Sequence, residues 1–373
     1  MRTCGADGLP MTRISDIIRA IEERAPLALQ ESYDNAGLQV GDAWAEAKAA
    51  LLCIDVTEAI VDEAIERGAN LIVSHHPLIF CGLKRIAGRT PIERIVAKAI
   101  RHDIAIYSAH TNLDSAEGGV SAHAAAKIGL RNMRVLAPQS GKLLKIVTFV
   151  PVAYAEAVKA AMWSAGAGKI GNYDSCSYTM SGRGTFRAIE GANPFVGAVG
   201  EHHTESEERV EVLVPVWRRG AVLRAMLEAH PYEEPAFDVI MLDNEAPTGL
   251  GVVGDIDPEP AMCLLERVKR TFAVGAVSYS GDVSQVVSRV AFCGGSAAEF
   301  VGDAIAAGAQ IFITGDVKYH EFTSNNDRII MANIGHYESE QFTKEIFYDI
   351  IQKKIPNFAA YYSEKEKNPI NYL

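Results

Sequence analysis

Cysteine is scarce in this 373-residue chain and never paired. The six residues, Cys4, Cys53, Cys81, Cys176, Cys263 and Cys293, include no C-x-x-C spacing. The pattern therefore excludes a readable disulfide framework or thiolate zinc site. Scattered thiols suit a reducing compartment, so a cytoplasmic protein is expected. Long apolar runs are missing as well, and no window approaches the ~18 residues of a membrane span. Met1 to Arg13 has no apolar core of the signal-peptide kind, so residues 1–11 read as a flexible leader with Met11 as an alternative start. Positive charge is outweighed: Lys+Arg number 36 against 47 Asp+Glu, a net charge of -11. An acidic surface repels phosphate backbones, which disfavours nucleic acid or an anionic membrane as partner. Low-complexity runs are absent, and 48% hydrophobic with 22% charged residues excludes a disordered or collagen-like chain. At roughly 150 residues per domain, the length predicts two or three domains.

Short apolar strands alternate with helical stripes in the first part of the chain. Ile14, Ile17, Ile18 and Ile21 mark one helix, and Leu51-Leu52-Cys53-Ile54, Leu71-Ile72-Val73 and Ile104-Ala105-Ile106-Tyr107 read as buried strands. Thr57 is placed to cap a helix that stops at Gly68. Thr90-Pro91-Ile92-Glu93 has the cap, first-turn proline and third-position acid of a capping box. Strands this apolar, separated by helices, predict an α/β fold with a parallel or mixed sheet covered on both faces. The C-terminal part repeats the pattern: shifted by 240 positions, Cys53 falls on Cys293, Ala64 on Ala304 and Gly68 on Gly308. Either a pseudo-repeat or two generic strand–helix–strand units explains the match. If both sets lie in one sheet, loops far apart in sequence open at one edge, where α/β sheets bind ligands.

The middle has a different texture. Strands at Lys142–Val150, Glu211–Pro215 and Phe237–Leu242 and helices at Tyr154–Ala165 and Trp217–Glu228 fit a split βαβ, ferredoxin-like unit. Pro138-Gln139-Ser140-Gly141 and Asn244 to Gly249 read as hinges. The expected organisation is a discontinuous α/β domain, 12–140 and 247–373, around an inserted α+β domain, 141–246.

Chemistry-bearing residues gather after predicted strands. Ser74-His75-His76-Pro77 follows one strand. Adjacent residues of an extended chain point to opposite sides, so the pair does not readily chelate one ion, but each ring can serve one of two neighbouring ions. A plain polar loop is the alternative. His110-Thr111-Asn112-Leu113-Asp114 follows a second strand, and Gly335-His336-Tyr337-Glu338-Ser339-Glu340 a third. A helix starting there puts His336 and Glu340 on one face at i, i+4. Imidazole and carboxylate without thiolate suit zinc, manganese, iron, cobalt or nickel. Two such ions about 3.5–4 Å apart acidify a water and clamp both oxygens of a displacement.

These boxes, with Tyr33-Asp34-Asn35-Ala36-Gly37-Leu38-Gln39-Val40-Gly41, resemble those of the dinuclear metal proteins called GTP cyclohydrolase 1 type 2 homologues, or Nif-three-like proteins. Tyr33 stands where that family usually has Trp. His230-Pro231-Tyr232-Glu233-Glu234-Pro235-Ala236-Phe237-Asp238 resembles a motif of the insert in the longer members, similar in fold to CutA and PII proteins. The likeness runs from about Thr12 to the C-terminal end. It implies two divalent metal ions held by His75, His76, Asp114, His336 and Glu340, with Glu340 bridging, and a homohexamer built as a trimer of dimers. It also implies a hydrolase acting on a nucleotide or related small molecule. A non-enzymatic metal-binding sensor using the insert is the alternative. His110 is a candidate proton carrier, supporting partner or loop-fixing residue. Asp316, Lys318 and His320 alternate after another strand and read either as a surface loop or as the lining of one pocket, which would make His320 a second candidate catalytic residue.

Four further features read as structural. Glu201-His202-His203-Thr204-Glu205 is expected to be a solvated acidic hairpin. Gly294-Gly295-Ser296 is expected to be a tight turn, with anion binding the alternative. His230 is expected to be structural or a lid contact, and Trp163 and Trp217 to be core.

Overall fold

A computed structural model describes residues 11–373. The expected leader falls almost wholly outside that range, and so does Cys4. The other five cysteines are free, and no described helix is long and apolar enough to cross a membrane. The chain forms two compact units. One ends at Pro138 and resumes at Thr248–Leu373; the other is Gln139–Pro247.

The first unit is mixed α/β but holds two sheets, not one. The first sheet runs in the order Gly37–Val40, Ala105–Ser108, Leu71–Ser74, Ala50–Cys53, Ala360–Tyr362. All its pairings are parallel except that of Gly37–Val40. Its three central strands are buried at every residue. That is why they lack alternation: both faces are covered, so every side chain but that of Tyr107 is apolar or small. Leu51, Cys53, Ile72 and Ile106 face Ile60, Val61, Ile95 and Val96 of the helices Glu58–Glu66 and Pro91–Arg101.

Both helices start as their sequences predict. Thr57 Oγ1 accepts from the Ile60 amide at 3.3 Å, and Thr90 Oγ1 from the Glu93 amide at 3.2 Å. The reciprocal half of the expected capping box is displaced. Glu93 accepts from the Ala87 and Arg89 amides instead of that of Thr90, because the preceding loop folds back over the helix start.

The second sheet runs Ser278–Tyr279, Ile330–Asn333, Ile311–Gly315, Val286–Ser296, Gly249–Pro260, Arg131–Pro138. The supposition of a single shared sheet is therefore corrected. Its parallel centre, Val286–Ser296 beside Ile311–Gly315 beside Ile330–Asn333, repeats the order Ala50–Cys53, Leu71–Ser74, Ala105–Ser108 of the first sheet. In each, helices connect successive parallel strands, and the cysteine pair matched by the 240-residue shift lies at equivalent strands. The antiparallel strands Arg131–Pro138 and Gly249–Pro260 lead out of and back into this unit. Glycine and proline made their ends read as hinges.

The second unit has four antiparallel strands in the order Tyr178–Arg187, His202–Pro215, Leu143–Pro151, Phe237–Leu242. Helices Ala155–Ser164 and Arg219–Ala229 follow the strands Leu143–Pro151 and His202–Pro215. Val150, Val158, Met162, Val212, Val222 and Met226 share one core. Trp163 and Trp217 are only half-buried, not core. The expected acidic hairpin is also corrected: His202 to Glu208 continue a 14-residue strand paired with Tyr178–Arg187. Cross-strand pairing outweighs the low strand preference of its acids.

Candidate metal centre

Three strand ends and two short helices of the first unit, Thr111–Asp114 and His336–Glu340, bring the chemistry together. Ser74 and Ser108 are register partners at the ends of adjacent parallel strands. Their hydroxyls bond at 2.8 Å, and Ser74 also donates to the His76 carbonyl at 2.9 Å, fixing the His75-His76 turn. Asn112 is fully buried and shapes the next loop. Its Oδ1 accepts from the His110 amide at 2.9 Å and its Nδ2 donates to the Ala25 carbonyl at 2.7 Å. In the second sheet, Gly335 adopts φ 89°, a conformation nearly reserved for glycine, and turns the chain into the helix His336–Glu340. That helix puts His336 and Glu340 on one face, their Nε2 and Oε2 3.2 Å apart.

His75, His76, His110, Asp114, His336 and Glu340 converge. They form three overlapping groups: His75, His76 and His110; His76, His336 and Glu340; His75, Asp114 and Glu340. Within each, the ligand atoms lie within 4.8 Å of one another. Glu340 is central. Its Oε2 faces His76 Nε2 at 3.0 Å, and its Oε1 faces His75 Nε2 at 3.7 Å. Gly295 (φ 70°) belongs here too, since a Cβ at that position would collide with Glu340 Oε1. The glycines expected to form a turn or an anion site instead end the strand Val286–Ser296. Their amides are committed to Ser121 and Ser339 at 3.1 and 2.9 Å.

Each histidine is oriented through its other nitrogen. Nδ1–H donates to Ala109 O from His75 (3.0 Å), to Asp55 from His76 (2.9 Å), to Asp34 from His110 (2.8 Å) and to Asp316 from His336 (2.7 Å). This commits the four Nε2 atoms to the cluster as lone-pair donors, the arrangement that orients metal-ligating imidazoles. Two observations test whether a cation fits. His75 Nε2 is buried with no hydrogen-bond partner. His76 and His336 present Nε2 to Nε2 at 3.3 Å, where two bare lone pairs repel unless a proton or a metal cation lies between them. Ligand atoms about 2.0–2.2 Å from one ion stand roughly 3–4 Å apart, which matches the spacings above.

The protonation pattern has the same origin. Burial alone would lower His76, but hydrogen bonds to Asp55 and Glu340 override it and push its pKa up to about 10. The bond to Glu340 pushes His336 up to about 9 against its burial. Burial would raise Glu340, yet the neighbouring histidines hold it well below the usual carboxylate range. Asp114 is raised, by burial and then by the charge of Glu340. Burial opposes ionisation of Asp34, but its bonds with His110 and Thr111 lower it to about 2. Without a cation, the pit takes up protons instead.

His320 is not among these groups. It is exposed on the helix Tyr319–Asn325, with its ring against Tyr319. Of the alternating trio, Asp316 reaches the cluster. It does so from a left-handed backbone position, φ 51°, that Asp tolerates better than most residues. Asp55 and Asp34 went unassigned in the sequence. Their only signal was an acid just past a strand end and an acid inside the Tyr33–Gly41 box. His203 pairs with Glu205 at 2.9 Å and joins no metal-type group among the described residues. His230 is structural: its Nε2 bonds the Phe149 carbonyl at 3.0 Å and its Nδ1 accepts from the Tyr232 amide at 3.1 Å.

Fold and cluster together define a mixed α/β protein with a histidine- and carboxylate-rich candidate metal centre. The family model described as Duf34/NIF3 (NGG1p interacting factor 3) matches residues 12–369, and the chain belongs to that family. It is 40% identical to the GTP cyclohydrolase 1 type 2 homolog of Halalkalibacterium halodurans, over 82% of each chain. It is 37% identical to the Bacillus subtilis protein of the same name, over 96% of this chain and 98% of that one. The crystal structure of a Bacillus cereus protein related to NIF3 superposes with a TM-score of 0.86 at 36% identity, covering 98% of this chain and all of that one.

Proposed function

We propose that the protein is a dinuclear metal-dependent hydrolase of a nucleotide or related small molecule. The observation that carries this reading is the position of Glu340, whose two oxygens face different histidines at 3.7 and 3.0 Å. In this reading His75, Asp114 and Glu340 would hold one divalent ion, and His76, His336 and Glu340 would hold the other. The ions are zinc, manganese, iron, cobalt or nickel. When bound, such a pair supplies an acidified water and a clamp on both oxygens of a displacement. The chain supplies the rest. Asp55 and Asp316 hold the rings of His76 and His336, and Asp34 holds His110 with its Nε2 turned inward to carry a proton. His110 packs edge-on to His75 and His76, with ring centroids 5.3 and 5.5 Å away. Relatives carrying the cyclohydrolase name support a nucleotide as the first substrate to try.

The test is turnover. Protein loaded with zinc, manganese or iron in turn meets GTP and a panel of phosphoesters, and activity that vanishes in Glu340→Gln supports the enzyme.

The second reading is a metal-binding sensor. It is favoured by the strand order of Gln139–Pro247, which suits a ferredoxin-like insert of the PII/CutA kind at 141–246. It is also favoured by a hollow of about 530 Å³ there, beside Phe149, Phe186, Glu207 and Arg209. No turnover with any metal, together with ligand-induced NMR shifts confined to 141–246, selects it. Unpaired thiols support a cytoplasmic location. We further propose a homohexamer, a trimer of dimers, tested by native mass measurement.

A further inference from the structure

Glu366 is a carboxylate near the C-terminal end whose side chain is only 4% exposed. One oxygen accepts from the backbone amides of Ile54 and, at 3.4 Å, Asp55. The other accepts from the Tyr337 hydroxyl at 3.3 Å and the Lys344 ammonium. The partners come from elements that follow both sheets of the first unit. Ile54 and Asp55 follow the strand Ala50–Cys53 of the first sheet. Tyr337 is next to His336, and Lys344 lies on the helix Thr343–Lys354. The tail that carries Glu366 is itself anchored. Buried Glu63 accepts from the Ser363 hydroxyl at 2.5 Å and the amides of Glu364 and Lys365 at 2.9 and 3.1 Å.

The hold on Asp55 is the consequential one. The Asp55 side chain is 53% exposed, so packing does not fix it. Its carboxylate nonetheless orients His76, and the amides on either side of Ile54, its own and that of Asp55, rest on Glu366. His75 has no such dependence, since its Nδ1 is held by the Ala109 carbonyl. We infer that Glu366 is a positioning residue for the His76–His336 half of the centre, acting through Asp55, while the His75–Asp114 half is independent of it. This rests on the dinuclear reading above.

The test uses the full-length protein and cobalt(II) as probe, titrated against a chelator with the visible absorption bands recorded. Wild type is expected to bind two equivalents. Glu366→Gln should leave the tighter equivalent unchanged, weaken the other about tenfold or more and shift its bands. Asp55→Asn should do the same, and combining the two should add little further loss, because they act on one ring. Lys344→Met with Glu366→Gln removes the buried pair without stranding a charge. It serves as the variant of choice if Glu366→Gln alone does not fold. The inference is overturned if both equivalents weaken together in step with a lower Tm, if neither changes, or if the two losses add in full. A wild-type protein that takes up no cobalt sinks the dinuclear reading itself.

Discussion

His75-His76 and His202-His203 are the same dipeptide in two settings, and only one becomes a candidate site. The first pair ends a buried parallel strand, where a neighbouring strand end and a helix from a second sheet supply acids and a third and fourth imidazole. The second pair lies along a strand at the solvent, where His202 is exposed and His203 is satisfied by Glu205 two residues on. A histidine pair therefore carries no chemistry of its own. What makes a centre is the convergence of ring nitrogens whose other nitrogens are already held.

The largest test of this contrast removes the shared carboxylate. Glu340→Gln should lower metal affinity by more than about 100-fold, beyond the range of supporting residues, as read by elemental analysis after dialysis. The paired variant His75→Ala, His336→Ala should likewise lose its metal. Full metal content in it would falsify the ligand assignment.

Next come the acids that hold the rings. Asp55→Asn and Asp316→Asn should each cost roughly 10–100-fold in affinity with the fold intact. A loss matched by Glu205→Gln would erase the distinction between the two pairs.

A third test uses protons. In chelator-treated protein, His76 and His336 have pKa values raised to about 10 and about 9. A raised folded-state pKa contributes stability fully present below the unfolded value, about 6.5, and lost as pH rises through the folded one. The Tm of the metal-free protein should therefore fall between about pH 7 and 10. Metal binding near pH 8 should release protons, read by calorimetry in buffers of different ionisation heat. Binding heats that do not vary with buffer would argue against a proton-filled pit. The smallest effect is the control: His202→Ala with His203→Ala should leave metal content unchanged and stability within about 0.5 kcal/mol.

Much of the frame was legible before the structure. Buried parallel strands announce themselves by unbroken apolar runs, and the caps Thr57 and Thr90 sit where the sequence expects them. The strand Phe237–Leu242 has the predicted bounds. The helix His336–Glu340 supplies the i, i+4 face that the spacing requires. Less legible was anything decided by pairing across distance. Residues 202–208 read as a polar hairpin because their ladder partner, Tyr178–Arg187, has no apolar pattern of its own. Asp55, Asp34 and Glu366 are ordinary acids in sequence, and only their partners, 21, 76 and up to 312 residues away, give them roles.

The sequence by itself determined membership of the Duf34/NIF3 family, the α/β character of the first unit, and the residue types offered at strand ends. Local periodicity and short boxes encode these, and each depends on neighbours within a few positions. The tertiary structure decided that there are two sheets, that Glu340 faces histidines from the other sheet, and that each imidazole has its outer nitrogen occupied. Those features are distances between atoms on separate elements. They follow from how buried faces pack, which no single segment specifies.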